Sequence, residues 1–524
     1  MPFGLNWRTL SGIVIVYYGI LIFYRLFLHP LARFPGSKVA AISRWYEAYY
    51  DVVLGGQYTL KIAELHKSYG PIIRISPHEL HVNDPAFYET IYRTDGRWHK
   101  YAWTYDAFGA KSSTIFSTHH DSHRARRRAI APCFTKSNIV AHQPLLRKNI
   151  DKLYRRIFKL SGTTVNLGAA LSAFTQDTAN EFVIGKAYNG IGLVDLEQIV
   201  GPQGAGVFWR ITKHIRWFGP AMQAMPTNWA MKVADKKTKS FFQRLQQNAK
   251  DTRDITHKNI LTAAESPSPD EKVKGTIVYA IVHSNLPPTG KTPGRIYQEV
   301  ATVSAAGFET TASAMRLILY HVYSSAEILQ RLRQELTSIS TQPSELILKE
   351  LEELPYLTAV LKEGMRLSPA VASRAARITD KDLFYKGWRI PAGSPVGMTT
   401  LLMHTNEELY PDPMRFIPDR WMESSSRTAS SYGFAPFSRG ARICLGMHLA
   451  WAEMYMLLAT LVQNFNFMSV AFSGCLNQQS SSFLSSLLHH GHDVAVWSLP
   501  MPGDLPWPCF LLFFVFVASE AALD

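Results

Sequence analysis

Ten residues, Phe437-Ser438-Arg439-Gly440-Ala441-Arg442-Ile443-Cys444-Leu445-Gly446, constrain the fold of this chain more than any other feature. Leu449, Ala450, Glu453 and Met454 follow in a helical pattern. The cysteine is therefore expected in a loop that runs straight into a helix N-terminus, where the helix dipole and free N–H groups stabilise an anion. Gly440 suits a tight turn with positive φ, and Gly446 lets another group approach the helix start closely.

That placement fits a thiolate that must stay ionised, the axial ligand of a haem iron. A thiolate pushes electron density onto the iron and favours O–O cleavage. Arg442 matches a haem propionate, because guanidinium and carboxylate pair in a fixed geometry. Taken alone, Cys444 also reads as a buried structural cysteine. A zinc site shared with His448 would need two further ligands, and nothing nearby supplies them. It is Phe437, Gly440, Arg442 and Gly446, in register around the cysteine, that favour the haem reading.

Three other segments carry chemistry. Ala305-Ala306-Gly307-Phe308-Glu309-Thr310-Thr311 has the pattern of a helix in which 306, 307 and 310 share a face. Small residues leave room there for a flat cofactor, and Glu309 with Thr310 reads as an acid–alcohol proton relay. The plain alternative is a packed helix with Thr310 bonded back to a carbonyl. Glu363 and Arg366 lie one helical turn apart in an apolar stretch, so a buried ion pair is expected. His123-Arg124-Ala125-Arg126-Arg127-Arg128 is a basic run, which on its own reads as a solvated helix face.

The frame F-x-x-G-x-R-x-C-x-G, together with A-G-x-E-T-T, E-x-x-R and Phe416-Ile417-Pro418-Asp419-Arg420-Trp421 in that order, resembles the cytochrome P-450 family from about residue 1 to about residue 468. His29-Pro30-Leu31, Tyr69-Gly70-Pro71 and Pro77-His78-Glu79-Leu80-His81-Val82 look most like fungal, membrane-anchored, trichodiene-oxygenase-like members. The resemblance implies haem b on Cys444, with His123, Arg127, Arg377 and Arg442 at the propionates. It also implies a core triad of Glu363, Arg366 and Arg420 that holds the cysteine loop. The implied activity is insertion of one oxygen atom from O2 into an apolar organic substrate, terpenoid or polyketide-like. Electrons would come from NADPH through a separate reductase, since the chain has no glycine-rich dinucleotide fingerprint. Arg124, Arg126 and Arg128 are expected to form a basic docking surface for that reductase. The other functions open at this point are a haem-thiolate isomerase or dehydratase, and a haem-binding protein without activity.

The expected fold is mainly α with a minor β-sheet, one catalytic domain (41–468) behind an N-terminal anchor (1–28) and a Pro/Gly hinge (29–40). Two strand-rich patches, 72–82 and 375–398, are expected to pair into one sheet, with helix prevailing from about 85 to 367. Leu10–Leu28 is apolar and just long enough to span a bilayer. Positive charge is heavier after it than before, which leaves the main body cytosolic, on the endoplasmic reticulum. The formal net charge of +14 raises the question of a nucleic acid, but no zinc-finger, helix-turn-helix or RNA-binding signature is present. Four scattered cysteines suit a reducing compartment. From 469 to 524 the family pattern is lost in a Gln/Ser-rich stretch, a His489-His490-Gly491-His492 cluster and a proline-rich apolar end. Two readings fit: a shifted reading frame that would leave the domain inactive, or a divergent tail lying on the membrane.

Overall fold

The computed structural model describes residues 7–199, 205–219, 221, 236–265, 275–368, 371–422 and 433–467. The expected tail at 469–524 lies outside them. Helix α1 (Trp7–Phe23) continues as a short wide turn to Leu28, and this 22-residue stretch has a mean hydropathy of 1.9 with none of it buried. It is long and apolar enough to cross a membrane.

The segment after it is not a free hinge. Leu31 and Phe34 are buried, and Phe34 stacks on Trp388 with ring centroids 5.0 Å apart. Arg74 Nη1 donates to the Arg25 carbonyl at 2.7 Å, and Arg25 Nη1 donates to the Ile42 carbonyl. Arg25 thus turns into the domain rather than out to the bilayer surface, and 29–40 belongs to the catalytic body.

Among the described residues the body is helical with a five-stranded sheet and a separate two-stranded hairpin. Strands β1 (Ile72–Ser76) and β2 (Glu79–Val82) are buried throughout, which suits their β-branched residues. Strand β3 is Trp98–Lys100. Helices α2 (His120–Ile130), α3 (Leu167–Ile184), α4 (Ala205–His214), α5 (Pro293–Ser324) and α6 (Pro355–Leu367) follow. Then come β4 (Arg377–Thr379), β5 (Leu383–Tyr385), β6 (Trp388–Ile390), β7 (Val396–Gly397) and helix α7 (Met447–Asn464).

The two strand patches do pair: the sheet order is β1-β2-β7-β4-β3, with β2 parallel to β7 through Leu80 and Val396. Strand β3 arises inside the stretch expected to be helical. Strands β5 and β6 stand apart as their own hairpin, turned by Lys386 and Gly387, both at positive φ.

Helix α3 is capped by the Asn166 side chain, which accepts from Ala169 N, and it ends on left-handed Gly185. Sixteen of its residues are buried, and α5 packs along it. Helices α3, α5, α6 and α7 share one core, which brings the segment around Glu309 and the helix after Cys444 into one body.

Candidate haem-thiolate site

Backbone geometry makes the cysteine loop before any ligand is considered. Ser438 and Gly440 have φ of 61° and 73°. A Cβ at Gly440 would lie 2.4 Å from the Arg93 carbonyl oxygen, so glycine is required there for close approach as well as for φ. Ala441 N donates to that same carbonyl at 3.1 Å, and Cys444 N donates to Phe437 O at 2.9 Å. Gly446 is the N-cap of α7, and a Cβ built on it meets nothing within 4 Å. Phe437 packs on Trp451 at 5.8 Å between ring centroids.

Cys444 is solvent-accessible yet deep among protein atoms, as a side chain facing an interior space would be. Burial pushes its thiol up, against the pull of the Gly446 N–H and Arg127. A nearby cation such as iron would reverse that balance.

The loop is held from below by the expected ion-pair triad. Arg366 donates to Glu363 from Nε at 2.9 Å and Nη2 at 2.7 Å, and both side chains are fully buried. Arg420 Nε donates to Glu363 Oε1 at 3.0 Å. Ile417 N and the Trp421 indole N–H each add a bond at 2.9 Å. Burial alone would raise the Glu363 pKa, yet Arg366 and Arg420 carry it below the ordinary range. Arg366 also donates to the carbonyls of His404, Pro413 and Arg415. His404 Nε2 then accepts from Ala435 N at 2.9 Å, so the triad reaches the cysteine loop through one histidine. No motif in the sequence marks His404 for this, and Trp421 stands in the sequence only as part of the motif around Arg420.

Above the loop, cations gather. The Arg442 guanidinium donates to the carbonyls of Ser117 at 2.6 Å and Thr118 at 3.1 Å. Its Nε is buried without a partner. Burial, with Arg377 and Arg127 nearby, carries its pKa down to about 9. Arg377, on β4, donates to the Ala375 carbonyl at 2.7 Å. His123 is buried, and burial with Arg442, Lys100, Arg127 and Arg377 pushes it down to about 2. Lys100 on β3 joins them; burial and the three arginines hold its ammonium well below the usual range. Among the described residues, none of Lys100, Arg127, Arg377 and Arg442 has a carboxylate partner; the bonds of Lys100, Arg377 and Arg442 go to carbonyls. Three arginines crowded around Lys100 and a neutral His123, with no carboxylate among them, fit the two carboxylates of a haem. Lys100 went unread because a lone lysine in a short polar strand carries no pattern.

On α5, Ala305, Ala306 and Thr310 are exposed although Arg295, Ile296, Glu299 and Val300 before them and most of 311–319 after them are buried. Gly307 faces elsewhere, since its Cβ would touch Ala179 of α3 at 3.0 Å. Thr310 Oγ1 donates to the Ala306 carbonyl at 2.8 Å. The Glu309 carboxylate is bound by Arg316 and by the Ser172 hydroxyl (3.1 Å), both on the α3 side. Acid and alcohol are neighbours in sequence but are drawn toward different partners. In the basic run, Arg124 and Arg128 are exposed, whereas Arg126 turns inward to Ser117 Oγ (2.6 Å) and the Lys111 carbonyl (3.0 Å). Arg126 therefore drops out of the docking surface.

A cysteine loop leading into a helix, a buried ion triad beneath it and a cationic rim above define a haem-thiolate protein. The Cytochrome P-450 family model matches residues 48–488. The chain is 37% identical over 464 residues to the cytochrome P-450 monooxygenase tpcC of Cochliobolus heterostrophus, covering 85% of this chain and 86% of the relative. It is 34% identical to the tryptophan 6-hydroxylase fscE of Fusarium equiseti (87% and 91% covered) and 34% identical to the N-acetyltryptophan 6-hydroxylase ivoC of Emericella nidulans (88% and 90%). The chain belongs to the cytochrome P-450 family and is a monooxygenase of the haem-thiolate type. The family match runs past Phe467 to residue 488, further than the sequence motifs suggested.

Proposed function

We propose that this chain hydroxylates an apolar organic compound of fungal secondary metabolism, with Cys444 as axial ligand of haem b. The cation cluster of Lys100, Arg127, Arg377 and Arg442 beside Cys444 is the observation that carries the reading. When bound, haem supplies the activation of O2, one atom going to substrate and the other leaving as water.

The residues of the chain do the rest. Cys444 is presented by a loop that Gly440 and the Glu363 network hold rigid. Arg442 and Lys100, braced on carbonyls, would hold the propionates. Thr310, exposed on α5, would hold a proton at its Oγ1 by giving up its bond to the Ala306 carbonyl. For Glu309 to contribute a proton it must leave Arg316, so its role is that of a switchable donor.

Electrons come from NADPH through a separate acidic reductase. Its docking face is formed by Arg124 and Arg128, the exposed arginines of the basic run, beside the cysteine loop. The membrane is that of the endoplasmic reticulum, with α1 as single-pass anchor and the domain in the cytosol.

Two curated relatives are named for hydroxylation of tryptophan and N-acetyltryptophan. Aromatic indoles are therefore candidate substrates beside terpenoid and polyketide compounds. Microsomes carrying the full chain and a reductase, incubated with each class under isotopically labelled O2, test the reading. One labelled oxygen per product, dependent on NADPH, is expected. Product carrying no label would refute oxygen insertion.

A further inference from the structure

The loop 110–119 supplies most of the carbonyls that brace the cationic rim. Ser117 and Thr118 accept from Arg442, Ile115 accepts from the Lys100 ammonium at 2.5 Å, and Thr118 accepts from the Lys100 amide at 2.8 Å. A loop can orient two cations only if it is itself fixed. Arg126 of α2 holds it at Ser117 Oγ and the Lys111 carbonyl, and the rest of what fixes it lies on α5, more than a full turn before the small residues at 305–306. Glu299 is fully buried and both its oxygens accept from Thr114 N at 3.1 Å. Its Oε2 also accepts from the Thr114 hydroxyl at 2.8 Å and from Arg295 Nη2 at 2.5 Å. The next residue back, Gln298, accepts from Ser112 N at 3.2 Å. Burial raises the Glu299 pKa, but every bond it makes is as acceptor, the pattern of a carboxylate.

We infer that Glu299 is a positioning residue for the haem carboxylates: through Thr114 it locks loop 112–119, and the loop aims Lys100 and Arg442. This rests on the haem reading above. It assigns Glu299 no contact with substrate or oxygen, although it shares a helix with Thr310.

The test uses full-length holoenzyme and measures haem loss to an apoprotein acceptor. Glu299→Gln removes one charge-assisted set of bonds, and haem should leave on the order of tenfold faster, with the thiolate spectrum intact. Thr114→Val, which keeps the buried charge, should shift haem loss in the same direction. The double variant Glu299→Gln/Arg442→Gln should lose haem more slowly than the product of the two single effects, because part of the Glu299 effect runs through Arg442. Wild-type haem retention in Glu299→Gln and Thr114→Val, or additive effects in the double variant, would overturn the inference. A wild-type chain without a thiolate spectrum would sink the haem reading instead. Hydrogen exchange at the Thr114 amide of the haem-free chain then still reports on the lock: faster exchange in Glu299→Gln upholds it, and unchanged exchange refutes it.

Discussion

Removing the Glu363 carboxylate is the most severe single perturbation of the scaffold. Its two oxygens receive five bonds: two from Arg366 and one each from Arg420, Ile417 N and the Trp421 indole. Glu363→Ala leaves the Arg366 guanidinium buried with only carbonyl partners and takes the acceptor from three further part-buried donors, Arg420 Nε, Ile417 N and the Trp421 indole. Breaking a buried pair by deleting one partner costs about 3–5 kcal/mol, against a typical total stability of about 5–15 kcal/mol. The damage should be directional. His404, bonded to both Arg366 and Ala435, passes it to the cysteine loop. Urea unfolding followed by circular dichroism should show the midpoint falling by about a fifth or more. The surviving folded fraction should show a reduced carbon monoxide spectrum shifted away from the thiolate type. Glu363→Ala within about 1 kcal/mol of wild type, with an unaltered spectrum, would refute the idea that this network carries the loop.

Three further outcomes follow from the same geometry. Gly440→Ala should abolish the thiolate spectrum while leaving helix content intact, since its Cβ would sit 2.4 Å from the Arg93 carbonyl oxygen at φ 73°; an unchanged spectrum counts against the close approach. Burial holds His66 down to about 4, so the neutral form is favoured in the fold and its stability is present above the unfolded pKa of 6.5. That stability should be lost as pH falls from 6.5 toward 4, by at most about 3 kcal/mol, and stability curves of His66→Gln should be flatter across that window. Arg124→Glu with Arg128→Glu should slow reduction by the reductase at low salt, whereas equal stopped-flow rates would remove the docking face.

The sequence made some of this legible because the relevant signals were local. Cys444 with its glycines, and Glu363 with Arg366 one turn later, are short-range patterns, and they sit where a loop-to-helix junction and a buried helix face require. The pairing of the two strand patches was also readable, since β-branched runs need partners. What escaped was set by tertiary contact alone. Strand β3 exists because Trp98, His99 and Lys100 pair with β4, not because of any alternation of their own. His404 and Glu299 act at long range, across 31 and 185 residues. Glu309 was legible as an acid but not as half of an ion pair, because Arg316 lies seven residues on and Ser172 comes from another helix. Pro30, Pro35 and Gly36 look like a hinge in sequence. In the fold, Gly36 is pressed against the Arg74 backbone, where a Cβ would come within 2.5 Å of the carbonyl oxygen, and Leu31, Phe34 and Ala40 of the segment are buried.

The central claim is that the Cys444 sulfur ligates haem iron, and the reduced carbon monoxide spectrum of the full-length protein tests it most directly. Wild type should give the thiolate-type band and Cys444→Ser should lose it, with the fold retained by circular dichroism. A histidine-type spectrum in the wild type, or a thiolate band that survives Cys444→Ser, would contradict the account.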